Sequence, residues 1–221
     1  MDQALALGQF EQTLARGGLD LIAPIPGPEL RWLVGNTRAL WPAFISALRV
    51  TPALQHTEHP LDAYVESVIE RAIHDSATPI HVDWGHSTTP PPLQRLAVDA
   101  GLGWKSPAHL IVHPEYGPWI GLRAVLTFEG IEGIPHVEPA PPCHGCEGGC
   151  RPALAEVMAD CPLTAEAVKA QWPRWAAIRQ ACPVGQNHMY PPDQLAYHYT
   201  HDRQWLSNKE CVDRHKTGNA Q

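Results

Sequence analysis

The chain is 221 residues long with a formal net charge of −7, and its 16 Lys and Arg residues never gather into a run. Phosphate neutralisation supplies most of a nucleic-acid binder's affinity, so this balance argues against a large polyanionic partner. A hydrophobic fraction of 44% suffices for a proper core without disulfides.

Residues 1–18 carry early acids and no long apolar run, so no signal peptide is expected. No stretch reaches the length of a membrane span, and a cytoplasmic setting is the expectation. In that reducing setting the six cysteines are expected as free thiols or metal ligands.

Leu5, Leu7, Phe10 and Leu14 recur at loosely helical spacing, and Gly17-Gly18 stops the helix they predict. Pro24–Pro28 (PIPGP) predicts a rigid turn and Leu30–Val34 a short strand. Asn36 and Thr37 are candidate N-caps for a helix carrying Leu40, Phe44 and Leu48, which Thr51-Pro52 ends. The next helix is clearer: Leu61, Tyr64, Val65, Val68, Ile69 and Ala72 form one apolar stripe opposed by Asp62, Glu66, Glu70 and Arg71. Ile80–Trp84 predicts a strand, Gly85–Pro92 a loop, and Leu93–Ala100 a helix stopped by Gly101.

Two β-rich runs follow, His109–His113 and Trp119–Phe128, expected to be consecutive strands joined by a turn. In the second, Ile120, Leu122, Ala124, Leu126 and Phe128 are expected on one face. Gly121, Arg123, Val125 and Thr127 take the other, which sends Arg123 away from the more apolar side. Residues 130–150 are loop-rich. Helices are expected near Ala153–Ala159, Thr164–Gln180 and Pro192–Ser207, then a loose polar tail. The pattern is α+β.

The strongest local signal is Cys143-x2-Cys146-x3-Cys150, followed by Cys161-Pro and Cys182-Pro. Thiolates at this spacing can turn back on one ion, and Gly145, Gly148 and Gly149 let the loop wrap it. An iron–sulfur cluster and zinc, the latter with His144, both suit the pattern, and the Cys-Pro steps lean toward the cluster. The alternative is a glycine-rich loop with unligated thiols. His198 and His201, three apart in a helical segment, could share a face. No nucleophile elbow, Walker loop or Rossmann glycine fingerprint is present.

Asp99–Phe128 (DAGLGWKSPAHLIVHPEYGPWIGLRAVLTF) resembles the epoxyqueuosine reductases and, more extensively, the CblC-type cobalamin-processing proteins. Leu21–Leu33, His59–Ile69, His113–Ile134, Trp172–Arg179 and Tyr190–Leu206 resemble successive segments of the CblC-type family. The resemblance implies a flavin nitroreductase-like α+β fold, with a mixed or antiparallel sheet flanked by helices and a cysteine-rich insertion at 139–185. It implies one cobalamin-binding domain over 1–209 and a tail over 210–221. By the same resemblance the activity is a cobalamin reductase or dealkylase that removes or exchanges the cofactor's upper ligand. Its reductant would be glutathione, reduced flavin or a redox protein. The iron–sulfur cluster or zinc expected on Cys143, Cys146, Cys150, Cys161 and Cys182 rests on the cysteine spacing instead, has no counterpart in the animal CblC-type proteins, and echoes the ferredoxin-like segment of the epoxyqueuosine reductases. A non-catalytic cobalamin carrier and a flavin enzyme are the alternatives, and a homodimer stays open.

Asp83 lies where the epoxyqueuosine reductases keep an acidic proton donor, while Arg123 and Arg179 match CblC-type arginines that hold the thiol co-substrate. Trp84, Trp104, Tyr116, Gly117 and Trp119 are the expected corrin contacts. Where the family has a third arginine this chain has Trp205, with Arg203 two residues away.

Overall fold

The computed structural model describes residues 3–76, 78–141, 143, 146 and 149–206. The expected tail at 210–221, Cys211 and His144 lie outside them. After α1 (Gln3–Arg16), Leu21, Ala23 and Ile25 turn inward from β1 (Leu21–Ile25), which pairs antiparallel with β2 (Glu29–Asn36). The expected turn at PIPGP therefore begins inside a strand. Pro24 is tolerated there because β1 is a sheet edge, where a missing N–H costs no ladder bond.

Helices α2 (Leu40–Val50), α3 (Pro52–His56) and α4 (Pro60–His74) follow. The capping expectation is not met, because the N-cap of α2 is Ala39 and no side chain caps it. The Thr37 hydroxyl accepts from the Ala39 N–H at 3.2 Å and donates to Asp20 at 2.5 Å, whereas Asn36 is drawn into the sheet. Strand β3 (Ile80–Trp84) leads to α5 (Leu93–Asp99), then to β4 (Trp104–Lys105), β5 (Ile111–Val112) and β6 (Gly121–Glu132).

The main sheet has the order β1-β2-β6-β3 and is antiparallel throughout. The two β-rich runs do not pair as expected: β5 pairs with β4 in a separate small sheet, while β6 lies between β2 and β3. The cause is the turn between them. His113 and Gly117 exchange two backbone hydrogen bonds at 2.9 Å, and Gly117 at φ +60 diverts the chain into the main sheet.

One face of the sheet, with Trp32, Val34, Leu126 and Phe128, packs on α1, α2 and α4 through Phe10, Phe44, Val65 and Ile69. The other face, with Leu33 and Val125, packs on Ala97 and Ala100 of α5 and its connection. Strand β6 serves both faces by alternation, but its register also slips: Gly35 pairs with Leu122 and Val34 with Ala124, leaving Arg123 as an extra residue. This bulge reverses the alternation. Ile120 and Leu122 join the Val125 side, so the single apolar face expected from 120 to 128 is split at Arg123.

Beyond the sheet lie α6 (Cys150–Met158), α7 (Ala165–Ala170), α8 (Trp172–Gln180) and α9 (Pro192–Thr200). The one helix expected at 164–180 is two. Thr164 caps α7 by accepting from Ala167 N–H, and Pro173 sits in the first turn of α8, where its missing N–H is harmless. Trp41 Nε1 donates to Asp193 at 2.8 Å and so ties α2 to the start of α9. Among the described residues no helix is long and apolar enough to cross a membrane.

Candidate functional site

Where β6 meets α8 and α9 there is a cavity of about 390 Å³, walled by Ile120–Arg123, Ile178, Arg179, Tyr190 and His198 among others. A smaller hollow of about 240 Å³ shares Ile120, Gly121, Leu122 and Arg179 with it and reaches Leu93 and Gln94 of α5. The two form a cleft along the bulged end of β6.

The bulge aims Arg123 into this cleft. Its Nε–H donates to Asn36 Oδ1 at 2.7 Å, and Asp62, in the first turn of α4, stands 3.9 Å from the guanidinium. Gly121 is required beside it, because a Cβ there would stand 2.7 Å from Asn36 Oδ1. The Arg123 side chain is only 15% exposed. Burial opposes its charge, with Tyr190 and Asp62 acting in the other direction, and a guanidinium remains protonated.

Arg179, near the end of α8, donates from Nη1 to the Pro118 carbonyl at 2.9 Å, yet its Nε is buried with no partner. The Tyr190 hydroxyl is likewise buried without a hydrogen bond of sound geometry, although both guanidinium groups are near enough to act on it. Burial pushes the Tyr190 phenol up, so it stays neutral and able to donate.

His198 rests against Tyr190, ring centroids 5.2 Å apart. Burial, then the charges of Arg123 and Arg179, hold its imidazole well below its ordinary pKa, so it is neutral at pH 7. Two half-buried cations, two unused donors and a neutral histidine thus face one cleft. Unsatisfied buried donors are costly, and a ligand carrying anionic acceptors would relieve them.

Of the residues expected from the sequence, Arg123 and Arg179 come together in this cleft. Trp119 is fully buried behind it, edge-on to Tyr190 at 5.8 Å, and lines a separate hollow with Trp172 and Leu195. Tyr116 stacks on His113 at 4.7 Å, and Gly117 lies against the Val184 carbonyl. Trp104 is in the small sheet, its Nε1 buried without a partner. Asp83 and Trp84 are on edge strand β3, outside the cleft lining. Asp83 meets His81 at 3.3 Å, and Trp84 packs beside His86.

The expected metal ligands divide. Cys150 and Cys161 are buried, Cys143 and Cys182 half-buried, and Cys146 exposed. Among the described residues no group of three or more His, Cys, Asp or Glu side chains is arranged to hold a metal. Sequence reasoning missed Asn36, Tyr190 and Gln194 as site residues. It treated His198 only as half of a histidine pair. For Gln194 and His198 the sequence signal is helical spacing, since they lie four residues apart on α9 with side chains 3.4 Å apart.

No family model matches the sequence, and no curated relative matches it. Among solved structures, the chain is similar to the crystal structure of a C. elegans B12-trafficking protein CblC, described as a human MMACHC homologue. The TM-score is 0.59 at 16% identity, over 90% of this chain and 86% of that one. The α+β, nitroreductase-like fold expected from the resemblance is the fold observed.

Proposed function

We propose, from the fold shared with a B12-trafficking protein, that this chain binds cobalamin and removes or exchanges the ligand on its upper face. The observation that carries the reading is the cleft along β6, where two half-buried guanidinium groups meet apolar walls. Ile120, Leu122 and Leu110 give apolar contact for a macrocycle edge, and the arginines supply charge to the same cleft.

Two chemistries fit. Loss of cyanide takes one electron at cobalt, and the cyanide leaves with the bonding pair. Loss of an alkyl group takes a thiolate, which bonds to the carbon while the old bonding pair stays on cobalt. In the second case Arg123 and Arg179 hold the carboxylates of a thiol such as glutathione. Their combined charge favours thiolate over thiol. Neutral His198 and Tyr190 orient it by hydrogen bonds and exclude water from the reacting sulfur. The electron for the first chemistry comes from glutathione, a reduced flavin or a redox protein.

Titration of the purified protein with cyanocobalamin tests the reading. Binding that moves the absorption spectrum to the base-off form supports it. An unchanged spectrum at saturating protein, or yellow protein already filled with flavin, rejects it.

A further inference from the structure

Helices α6 and α8 pack side by side. Arg174, in the first turn of α8, donates to the Glu156 carbonyl at 3.1 Å and meets Asp160 at 2.8 Å, both at the far end of α6. The pair is therefore antiparallel, and the start of α6 stands beside the end of α8. Cys150 opens α6. Cys182 lies just past α8, its N–H donating to the Arg179 carbonyl at 3.1 Å. Cys146 leads into the same corner, because its Sγ lies against Gly149 and fills the space a Cβ would need there. The thiols of Cys143, Cys146 and Cys150 are all close enough to Cys182 to act electrostatically on it.

Cys161 is at the other end. It follows α6, and its Sγ accepts from Trp175 Nε1 at 3.3 Å near the start of α8. The nine residues of α6 put roughly 13 Å between that end and Cys150. Its thiol already has a partner and an apolar surrounding of Ala108, Val157 and Ile178.

We propose that Cys143, Cys146, Cys150 and Cys182 form a four-thiolate metal site at one end of the α6–α8 pair, and that Cys161 takes no part. Four sulfur donors are the set that zinc and iron–sulfur clusters share. Among the described residues no three such donors are yet arranged to hold a metal, so binding has to draw them together. Gly149, between Cys146 and Cys150, gives the chain the backbone freedom for that movement. Each thiol gives up its proton on binding, so four protons are released per metal centre held. The site adjoins the cleft: Leu154 of α6 and Trp175, Ile178 and Arg179 of α8 are cleft walls. Metal binding would pin that wall, and a redox-active cluster there would stand beside the substrate. This inference does not depend on cobalamin being the ligand.

The test is metal analysis of the full chain purified without oxygen and, if it is empty, reconstituted separately with zinc and with iron plus sulfide. We expect one centre per chain. Iron with inorganic sulfide and a broad visible charge-transfer absorption identifies a cluster, and colourless protein with zinc identifies the structural form. Serine at any of the four positions should weaken metal retention by more than the roughly 10–100-fold loss that a second-shell change produces. Cys161→Ser should retain it. For variants that fail to fold, alkylation mapping of the wild type replaces them. Chelation should expose Cys143, Cys146 and Cys182 to labelling and leave Cys161 unchanged. Wild type that stays metal-free after both reconstitutions overturns the site. So does labelling unchanged by chelation, or Cys161→Ser losing metal as fully as the four.

Discussion

Arg123 donates to Asn36 at 2.7 Å from the bulged position of β6, so the side chain that charges the cleft is held by a residue of the neighbouring strand. Asn36 is itself fully buried, and its amide donates to the Thr37 carbonyl at 2.8 Å. Asn36→Leu strands a guanidinium that has lost its best acceptor. The expected cost is about 1.5–3 kcal/mol, read from the urea unfolding midpoint. Asn36→Asp keeps the acceptor for Arg123 but sets a carboxylate oxygen against the Thr37 carbonyl in place of the amide donor, so it should also lower the midpoint, while its counter-charge weakens affinity for anions.

The turn at Gly117 should tolerate no side chain. Its φ is +60, and the Val184 carbonyl occupies the place of a Cβ, while Gly185 at φ +73 lies reciprocally against the Tyr116 backbone. Gly117→Ala should cost at least about 1–2 kcal/mol from the left-handed conformation alone. The collision adds to that. Scanning calorimetry of the variant should show a lowered Tm, and an unchanged Tm would contradict the interlock.

Anion binding in the cleft should follow the two guanidinium groups. Arg123→Met and Arg179→Met each remove a charge-assisted contact of about 1.5–3 kcal/mol. Each substitution should therefore weaken glutathione binding by roughly tenfold or more, measured by calorimetry at low salt. Arg179→Lys should recover only part of the loss, because an ammonium cannot present the forked donors. Equal affinity in wild type and the double variant would remove the cleft from consideration as an anion site.

Stability should fall on the acid side through His198. In the folded chain its pKa lies below the ordinary value, first through burial and then through Arg123 on β6, Arg179 on α8 and His201 on α9. Unfolded, it titrates near about 6.5. The unfolded chain therefore binds a proton that the native chain refuses. The stability contribution is complete above about pH 6.5 and is lost as pH falls below it, by up to about 1.4 kcal/mol per pH unit. His113 and His201 are shifted in the same direction, each chiefly by burial, and add to the trend. Urea denaturation between pH 7.5 and 5.5 should show a smaller decline for His198→Gln than for wild type. An identical decline would mean that His198 is already charged when folded.

The sequence was legible where one surface decides the pattern. The stripe from Leu61 to Ala72 is buried as expected because α4 has a single neighbour face to cover. Ile80–Trp84 and Leu93–Asp99 were found for similar reasons. What escaped depends on partners distant in the chain. β1 was hidden by Pro24, which only its edge position permits. The alternation from Ile120 to Phe128 runs unbroken in sequence, so the bulge at Arg123 is visible only against Gly35 and Val34. The cleft was half legible. The resemblance supplied Arg123 and Arg179, whereas Asn36, Tyr190 and His198 matter only through what they face. The five cysteines stand out in the sequence by spacing alone, and that Cys161 and Cys150 lie at opposite ends of α6 is visible only once the helix is built.

The extra residue at position 123 makes β6 two ribbons of opposite inside–outside parity joined end to end. Length, and not only residue type, is therefore under constraint there. Deleting a single residue at this point would restore even parity along the strand, turn Ile120 and Leu122 toward the wrong side, and withdraw the cation from its basin. Few places in the fold would convert so small a change in chain count into so large a change of surface.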